Sequence, residues 1–331
     1  MSEYHIAVVN SSSFGQWFPT HMERLRKIGP VKHFRFDNHV DGKTLAKALH
    51  GYNIIISSVT PFFTKEFFEE KDELLIISRH GIGFNNIDLE AAEEHGTMVT
   101  IVPPLVERDA VAENAVTNLL TLIRQTLPAQ EKVKDDAWAS RASFMGHNLT
   151  GKTFGVIGCG NIGSRVAEIF KYGFNGRVLA CDPKLNLEWA KKHGIEQVEL
   201  EQLLAEADII SMNASLNDTS YHILNEEAFD KLAKPVYITN TARGALIDEE
   251  ALLVAIDQGK VLGLATDVMT EEPAFSSHPY IGHEKILVTP HTSAYTFECL
   301  EGMGDKCVTD VETVVAGGQP QNQVKAKDVV K

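Results

Sequence analysis

The chain has 331 residues, 44% of them hydrophobic and 23% charged, with a net charge of −14. That length suits two domains better than one. The acidic balance argues against a nucleic-acid partner, whose phosphates need a Lys/Arg patch. No run of about 18 apolar residues is present to span a membrane. The start, MSEYHIAVVN, lacks a basic region followed by a long apolar run, so no secretory signal is expected. Four cysteines (Cys159, Cys181, Cys299, Cys307) with no C-x-x-C and no zinc spacing suggest a reduced, cytoplasmic protein without a metal site.

From the N-terminus, strands and helices alternate. Strands are expected at Ile6–Val9, Val31–Phe36, Ile54–Ile56, Leu74–Ser78 and Met98–Val102. Between them lie helices at Pro19–Ile28, Thr44–His50, Thr64–Glu70 (behind a Thr cap) and Leu89–His95, the last closed by Gly96. β-Branched runs separated by amphipathic helices imply a parallel, doubly covered sheet, so residues 1–102 form one βα domain. Pro103-Pro104 punctuates, and a long helix follows over Asp109–Leu127. Its apolar residues cover too broad a face for a surface helix; it crosses between domains, forms a dimer face, or both. Glu131–Trp138 reads as a short helix and Arg141–Lys152 as a loop.

Thr153–Pro183 carries the clearest signal. The apolar run Phe154–Ile157 leads into Gly158-Cys159-Gly160-Asn161-Ile162-Gly163, a G-x-G-x-x-G turn, then a helix, then the strand Arg177–Cys181 ending at Asp182. In this βαβ setting the first glycine makes the turn, the second lets backbone approach a pyrophosphate, and the third lets helix pack on strand. The free N–H groups at the helix start favour phosphate. Asp182, nineteen residues past Gly163, can accept both ribose hydroxyls and would repel a 2′-phosphate, so NAD (NADH) is expected in preference to NADP.

Further strands are expected at Asp208–Met212, Val236–Thr239, Val261–Ala265 and Ile286–Thr289, with helices at Glu226–Leu232 and Asp248–Gln258. A final helix, Thr296–Ala316, ends at Gly317-Gly318 and should return to cover the first domain. The expected architecture is two Rossmann- or flavodoxin-like α/β domains. A dinucleotide-binding domain (103–296) is inserted into a discontinuous catalytic domain (1–102 plus 297–331).

Three polar segments each follow a predicted strand: Asn240–Gly244, Asp267–Pro273 and Thr289–Tyr295. Ligands of open α/β sheets bind beyond the C-terminal strand ends, so these should converge on the cofactor. Hydride delivery to a ketone leaves a developing alkoxide, which a histidine such as His291 can protonate near neutral pH. A carboxylate such as Glu272 would favour the charged imidazole and fix its tautomer. Arg243 offers a planar fork for a substrate carboxylate, which Lys could not match.

Taken together, these segments resemble the D-isomer-specific 2-hydroxyacid dehydrogenase family over nearly the whole chain. The resemblance rests on HGIGFNNIDLEAAEEHG (80–96), DAVAENAV (109–116), LTGKTFGVIGCGNIG (149–163), NTARGALIDEEAL (240–252), DVMTEEP (267–273) and TPHTSAYT (289–296). HTSAYT is nearest the D-lactate and D-2-hydroxyisocaproate form, although Asn114, Asn213, Ser215, Asp109 and Ala294 depart from common patterns.

By that resemblance His291 is the acid/base, Glu272 supports it and Arg243 orients the substrate. Gly158, Gly160, Asn161, Ile162, Gly163 and Asp182 hold the dinucleotide, Ala214, Ser215, Ser220, Thr241 and Ala242 line it, and Asp267 bonds the nicotinamide amide. Ile82, Gly83 and Tyr295 contact the substrate, a small 2-oxo or 2-hydroxy acid. A homodimer built through the 109–127 helix is also implied. An NAD(H)-sensing, corepressor-like protein on the same fold would keep the same trio and is the alternative. The formate dehydrogenase reading fails on Glu272, where Gln is expected. The L-lactate/L-malate class places its fingerprint near the N-terminus rather than after about 150 residues.

Overall fold

In the computed structural model, whose described residues are 4–328, the apolar runs become buried parallel strands. The first unit comprises residues up to Glu107 together with those from Tyr295 onward; the second is Arg108–Ala294. The division falls at 107/108 and 294/295, where the sequence suggested 102/103 and 296/297.

The first unit alternates β1 (Ile6–Val9), α1 (Pro19–Ile28), β2 (Val31–Phe34), α2 (Gly42–Ala48), β3 (Ile54–Ser57), α3 (Lys65–Glu70), β4 (Ile76–Arg79), α4 (Leu89–His95) and β5 (Met98–Thr100). Its strand order is β2-β1-β3-β4-β5, every pair parallel. All residues of β1, β3 and β4 are buried, because helices cover both faces. Asp88 caps α4 through the Ala91 N–H, and Gly96, at φ 81, closes it in the left-handed conformation. Thr64 occupies the cap of α3, but its side chain makes no capping bond, so that expectation is only half met.

The second unit starts within α5 (Pro104–Ile123) and continues through α6 (Thr126–Lys134), β6 (Thr153–Ile157), α7 (Asn161–Glu168), β7 (Arg177–Cys181), α8 (Leu187–His193), β8 (Glu196–Gln197) and α9 (Leu200–Glu206). Then come β9 (Ile209–Met212), α10 (Glu226–Asp230), β10 (Val236–Asn240), α11 (Glu249–Asp257), β11 (Val261–Thr266) and β12 (Ile286–Val288). The sheet order is β12-β11-β10-β9-β6-β7-β8, again all parallel. The order reverses at β6, from which the chain runs outward first through β7 and then through β9.

The long helix differs from its expected bounds. Pro104 starts it rather than stopping the chain before it, because a first helical position needs no N–H partner. It ends at Ile123, and Gln125 at φ 50 turns the chain into a separate α6. The short helix expected at 131–138 is therefore the end of α6 followed by a 3-10 turn over Trp138–Ser143. Along α5, Ala112, Ala115, Val116, Leu119 and Ile123 pack into one cluster with Phe154, Val156, Val166 and Phe170 of the glycine-turn unit. The last helix, α12 (Phe297–Val315), sets Cys307, Val308, Val311 and Val314 against Ile6, Val8, Ile54 and Ile56 of the first unit. No described helix is long and apolar enough to cross a membrane.

Candidate active site

The G-x-G-x-x-G turn joins β6 to α7 at the switch point of the second sheet, where open parallel sheets bind ligands. The three glycines answer different constraints. At Gly158 (φ 81), an added Cβ would lie 2.4 Å from Ala214 N and Cα. At Gly163 it would lie 2.0 Å from Gly158 O, so strand and helix meet there without room for a side chain. At Gly160 a Cβ would meet no atom within 4 Å, so this glycine faces open space at the head of α7. Asn161, Ile162 and Gly163 form the first turn of that helix, whose N–H groups have no partner inside the helix. A bare backbone cradle with outward N–H groups fits a pyrophosphate.

Asp182 ends β7 beside this turn. Its Oδ2 accepts from the Cys159 N–H at 2.6 Å and its Oδ1 from the Lys184 N–H at 2.7 Å. Each carboxylate oxygen keeps a second lone pair. Cys159 itself is inert, since burial pushes its thiol up to about 12.

The expected trio comes from three neighbouring strands: Arg243 follows β10, Glu272 follows β11 and His291 follows β12. The turn after β10 is held by Asn240, which donates to Arg243 O at 2.9 Å and accepts from Ala242 N at 3.0 Å. Gly244 lets this turn press on the next segment, for a Cβ there would lie 2.1 Å from Met269 C. Glu272 accepts from Met269 N at 2.9 Å and from His291 Nδ1 at 2.7 Å. Burial pushes the Glu272 carboxyl up. The hydrogen bond and charge of His291, the Met269 N–H and the Arg243 charge outweigh it and hold the group below its ordinary range. It is therefore ionised at neutral pH and can only accept, which fixes the proton on His291 Nδ1.

Among the described residues, His291 Nε2 has no protein partner. That separates His291 from the closest comparable pair, His278 with Glu249. His278 lies 3.0 Å from Glu249, but its Nδ1 also accepts from Tyr280 N, so both ring nitrogens are occupied. His80, in the first unit, is held down to about 3 by burial first and the neighbouring Arg79 charge second, and stays neutral. His291 also sits at φ 54, where a residue with a side chain costs on the order of 1–3 kcal/mol and persists only if its surroundings hold it.

Two residues make contacts within the protein that the sequence did not suggest. Asp267, 1% exposed, has both oxygens engaged: Oδ1 accepts from Thr289 Oγ1 (2.5 Å) and Thr292 N (2.9 Å), Oδ2 from Ser293 N (2.7 Å) and Oγ (2.5 Å). Through these bonds it organises the His291 segment. Ser220 is buried and closes its own turn, donating to Ser215 O at 2.6 Å and accepting from Asn217 N at 2.9 Å. It fixes the shape of the turn that follows β9. Ala214 backs Gly158, while Ser215 is exposed and Thr241 and Ala242 half-buried. In the sequence Asn240 stands only as the start of a polar segment; its position as the last residue of an apolar strand is the signal for its turn-holding role.

Ile82, Gly83 and Tyr295 belong to the first unit. There, Ile82 and Gly83 follow β4, and among the described residues neither N–H has a protein partner. Tyr295 is half exposed, its hydroxyl 3.4 Å from Ser12 Oγ. No group of three His, Cys, Asp or Glu that could hold a metal occurs among the described residues.

The fold and the second unit's cradle define a nicotinamide-dinucleotide-binding α/β protein. The family model for the NAD-binding domain of D-isomer-specific 2-hydroxyacid dehydrogenases matches residues 116–293, and the chain belongs to that family. It is 35% identical over 80% of its length to D-3-phosphoglycerate dehydrogenase 2, chloroplastic, of Arabidopsis thaliana, but spans only 42% of that protein. It is 32% identical to a glyoxylate reductase of Thermococcus litoralis, over 86% of this chain and 87% of the other. Among solved structures, the apo D-lactate dehydrogenase of Escherichia coli superposes with a TM-score of 0.83 at 31% identity, covering 97% of this chain and 99% of that one.

The cradle geometry separates two glycine substitutions. Gly160→Ala has room in the protein, so its melting temperature should stay within about 2 °C of wild type while NADH affinity falls at least ~10-fold. Gly163→Ala overpacks the strand–helix contact and should cost about 1–3 kcal/mol in denaturant unfolding. Unchanged NADH affinity in Gly160→Ala would contradict a pyrophosphate at that turn.

Proposed function

We propose that the protein is an oxidoreductase interconverting 2-oxo acids and (R)-2-hydroxy acids with NAD(H). The observation that carries this reading is His291, pinned at Nδ1 by an ionised carboxylate and open at Nε2, beside an arginine. The bound nicotinamide would supply or accept the hydride. In the reductive direction one hydride, together with one proton from His291 Nε2, converts the ketone to an alcohol. Glu272 stabilises the imidazolium that donates the proton and keeps the ring in one orientation. Arg243, an always-charged fork, grips the substrate carboxylate and polarises the keto oxygen.

Within the first unit, the N–H groups of Ile82 and Gly83 suit an anionic group. Asp182 sets the cofactor preference: its carboxylate attracts ribose hydroxyls and repels a 2′-phosphate, favouring NAD over NADP. The four cysteines are free, which suits a reducing, cytoplasmic setting.

A homodimer is part of the proposal. The apolar face of α5 lies in its own unit's core, but no residue between Arg124 and Asn148 is buried. That stretch exposes Leu127, Val133, Trp138 and Met145 by 48% to 77%. Such a segment supports a second copy as its occupant.

Three measurements follow from these assignments. His291→Ala should lower kcat by about 10²–10⁴ in steady-state assays while NADH still binds in a fluorescence titration; wild-type turnover would remove the acid/base role. Asp182→Ala should reduce the ratio of kcat/KM with NADH to that with NADPH by at least ~10-fold, and an unchanged ratio would dispose of the ribose argument. Light scattering should give wild type the mass of two chains and Trp138→Glu the mass of one, since a charge at a packed interface costs several kcal/mol. A variant that stays dimeric would place the interface elsewhere.

A further inference from the structure

Asn114 and Asn118 stand one turn apart on α5, among inward-facing residues that are otherwise apolar. Asn118 is 6% exposed and Asn114 half-buried. The Nδ2 of Asn118 donates to Thr289 Oγ1 at 3.0 Å, and that of Asn114 to Ser293 Oγ at 2.8 Å. Both hydroxyls pass their single proton onward to Asp267, Thr289 to Oδ1 and Ser293 to Oδ2, each at 2.5 Å. A hydroxyl that has donated its proton can only accept, so an amide N–H is a matching group on the far side. The result is two parallel chains, amide to hydroxyl to carboxylate, closing on one buried anion. Linked donors of this kind polarise and stiffen one another.

The segment gripped between these chains is Thr289–Ser293, with His291 at its centre. The backbone there is left-handed at φ 54, and the His291 N–H adds bonds to Asp267 O and Thr289 O, both at 3.0 Å. A strained residue keeps its place only when its neighbours over-determine it. Asp267 fastens the segment to β11, and the two asparagines fasten it to α5.

We propose that Asn114 and Asn118 are positioning residues for His291, acting through Ser293, Thr289 and Asp267; the claim rests on the reading of His291 as acid/base. Neither asparagine touches the imidazole. Each fixes a hydroxyl that fixes the carboxylate cage around the loop. A displacement of about 1 Å at a reacting group can lower a rate by about 10²-fold. Losing one tether should therefore lower kcat by about 10-fold and losing both by about 10²-fold.

The test uses the full chain with Asn114→Ala, Asn118→Ala and the double substitution. The expected result is the stated loss in kcat, with KM for the 2-oxo acid and NADH affinity each within about twofold of wild type. The solvent deuterium isotope effect on kcat should rise, because proton transfer from a misplaced His291 becomes slower. Amide exchange at Thr292 and Ser293, read by NMR, should quicken by about 10-fold. Asn114→His, which keeps a ring N–H donor, should restore kcat to within about twofold of wild type.

A kcat loss that only tracks the fraction of protein still binding NADH, with the isotope effect unchanged, would mean a folding defect and overturn the proposal. Unchanged kcat with unchanged exchange would overturn it too. Should wild type reduce no 2-oxo acid, the functional reading fails, while exchange at Thr292 and Ser293 still decides whether the asparagines hold the loop.

Discussion

Parallel pairing is the constraint from which the rest follows. A strand can lie parallel to the one before it only if the chain crosses back over the sheet, so every strand in the second unit ends at the same edge. Seven C-terminal ends then open side by side, and whatever follows them shares one surface. The glycine turn after β6, Asp182 after β7, Ser215 after β9, Arg243 after β10, Glu272 after β11 and His291 after β12 are brought together by topology before any side chain interacts. The first unit repeats the device with five strands, and Ile82 and Gly83 follow β4 there.

Topology alone would give a rim of polar loops; carboxylates turn it into a defined site. Three acids do three different things. Asp182 ties the glycine turn to the end of β7, Glu272 fixes the tautomer of His291, and Asp267 holds the loop that carries it. Asp267 is buried with four short donors, whereas Glu272 shares its two oxygens between one backbone N–H and an imidazole. The first arrangement serves rigidity and the second leaves a proton that can be used. His278 makes the contrast visible, for it has a carboxylate partner and no open nitrogen.

Much of this was legible in the sequence, for physical reasons. Strands covered on both faces are mostly apolar, so β1, β3 and β6 stand out, as does the Leu74–Ile77 run that leads into β4. The trio stands out because each member lies a few residues beyond such a run. What escaped lacks a local signature. The two-residue β8 is Glu196-Gln197, exposed on both faces, and it and the short helices beside it carry no strong apolar pattern. Nothing marks Gln125 as the break after α5, because glutamine rarely takes a left-handed φ. Asp267 was legible by position but its four donors were not, since spacing places a carboxylate at a strand end without saying which way it points. The role of Asn114 and Asn118 was hidden in a helix that reads as apolar, although polar residues one turn apart on its inward side need partners.

The central claim is that this edge performs hydride transfer and does not merely hold a dinucleotide. The direct measurement is NADH oxidation by the wild-type protein against pyruvate, 2-oxoisocaproate, phenylpyruvate, glyoxylate, hydroxypyruvate and 2-oxoglutarate, with chiral analysis of any product that has a stereocentre. The account predicts turnover of at least one of them and (R)-2-hydroxy acid as the chiral product. Tight NADH binding with no turnover of any, or an (S) product, would contradict it.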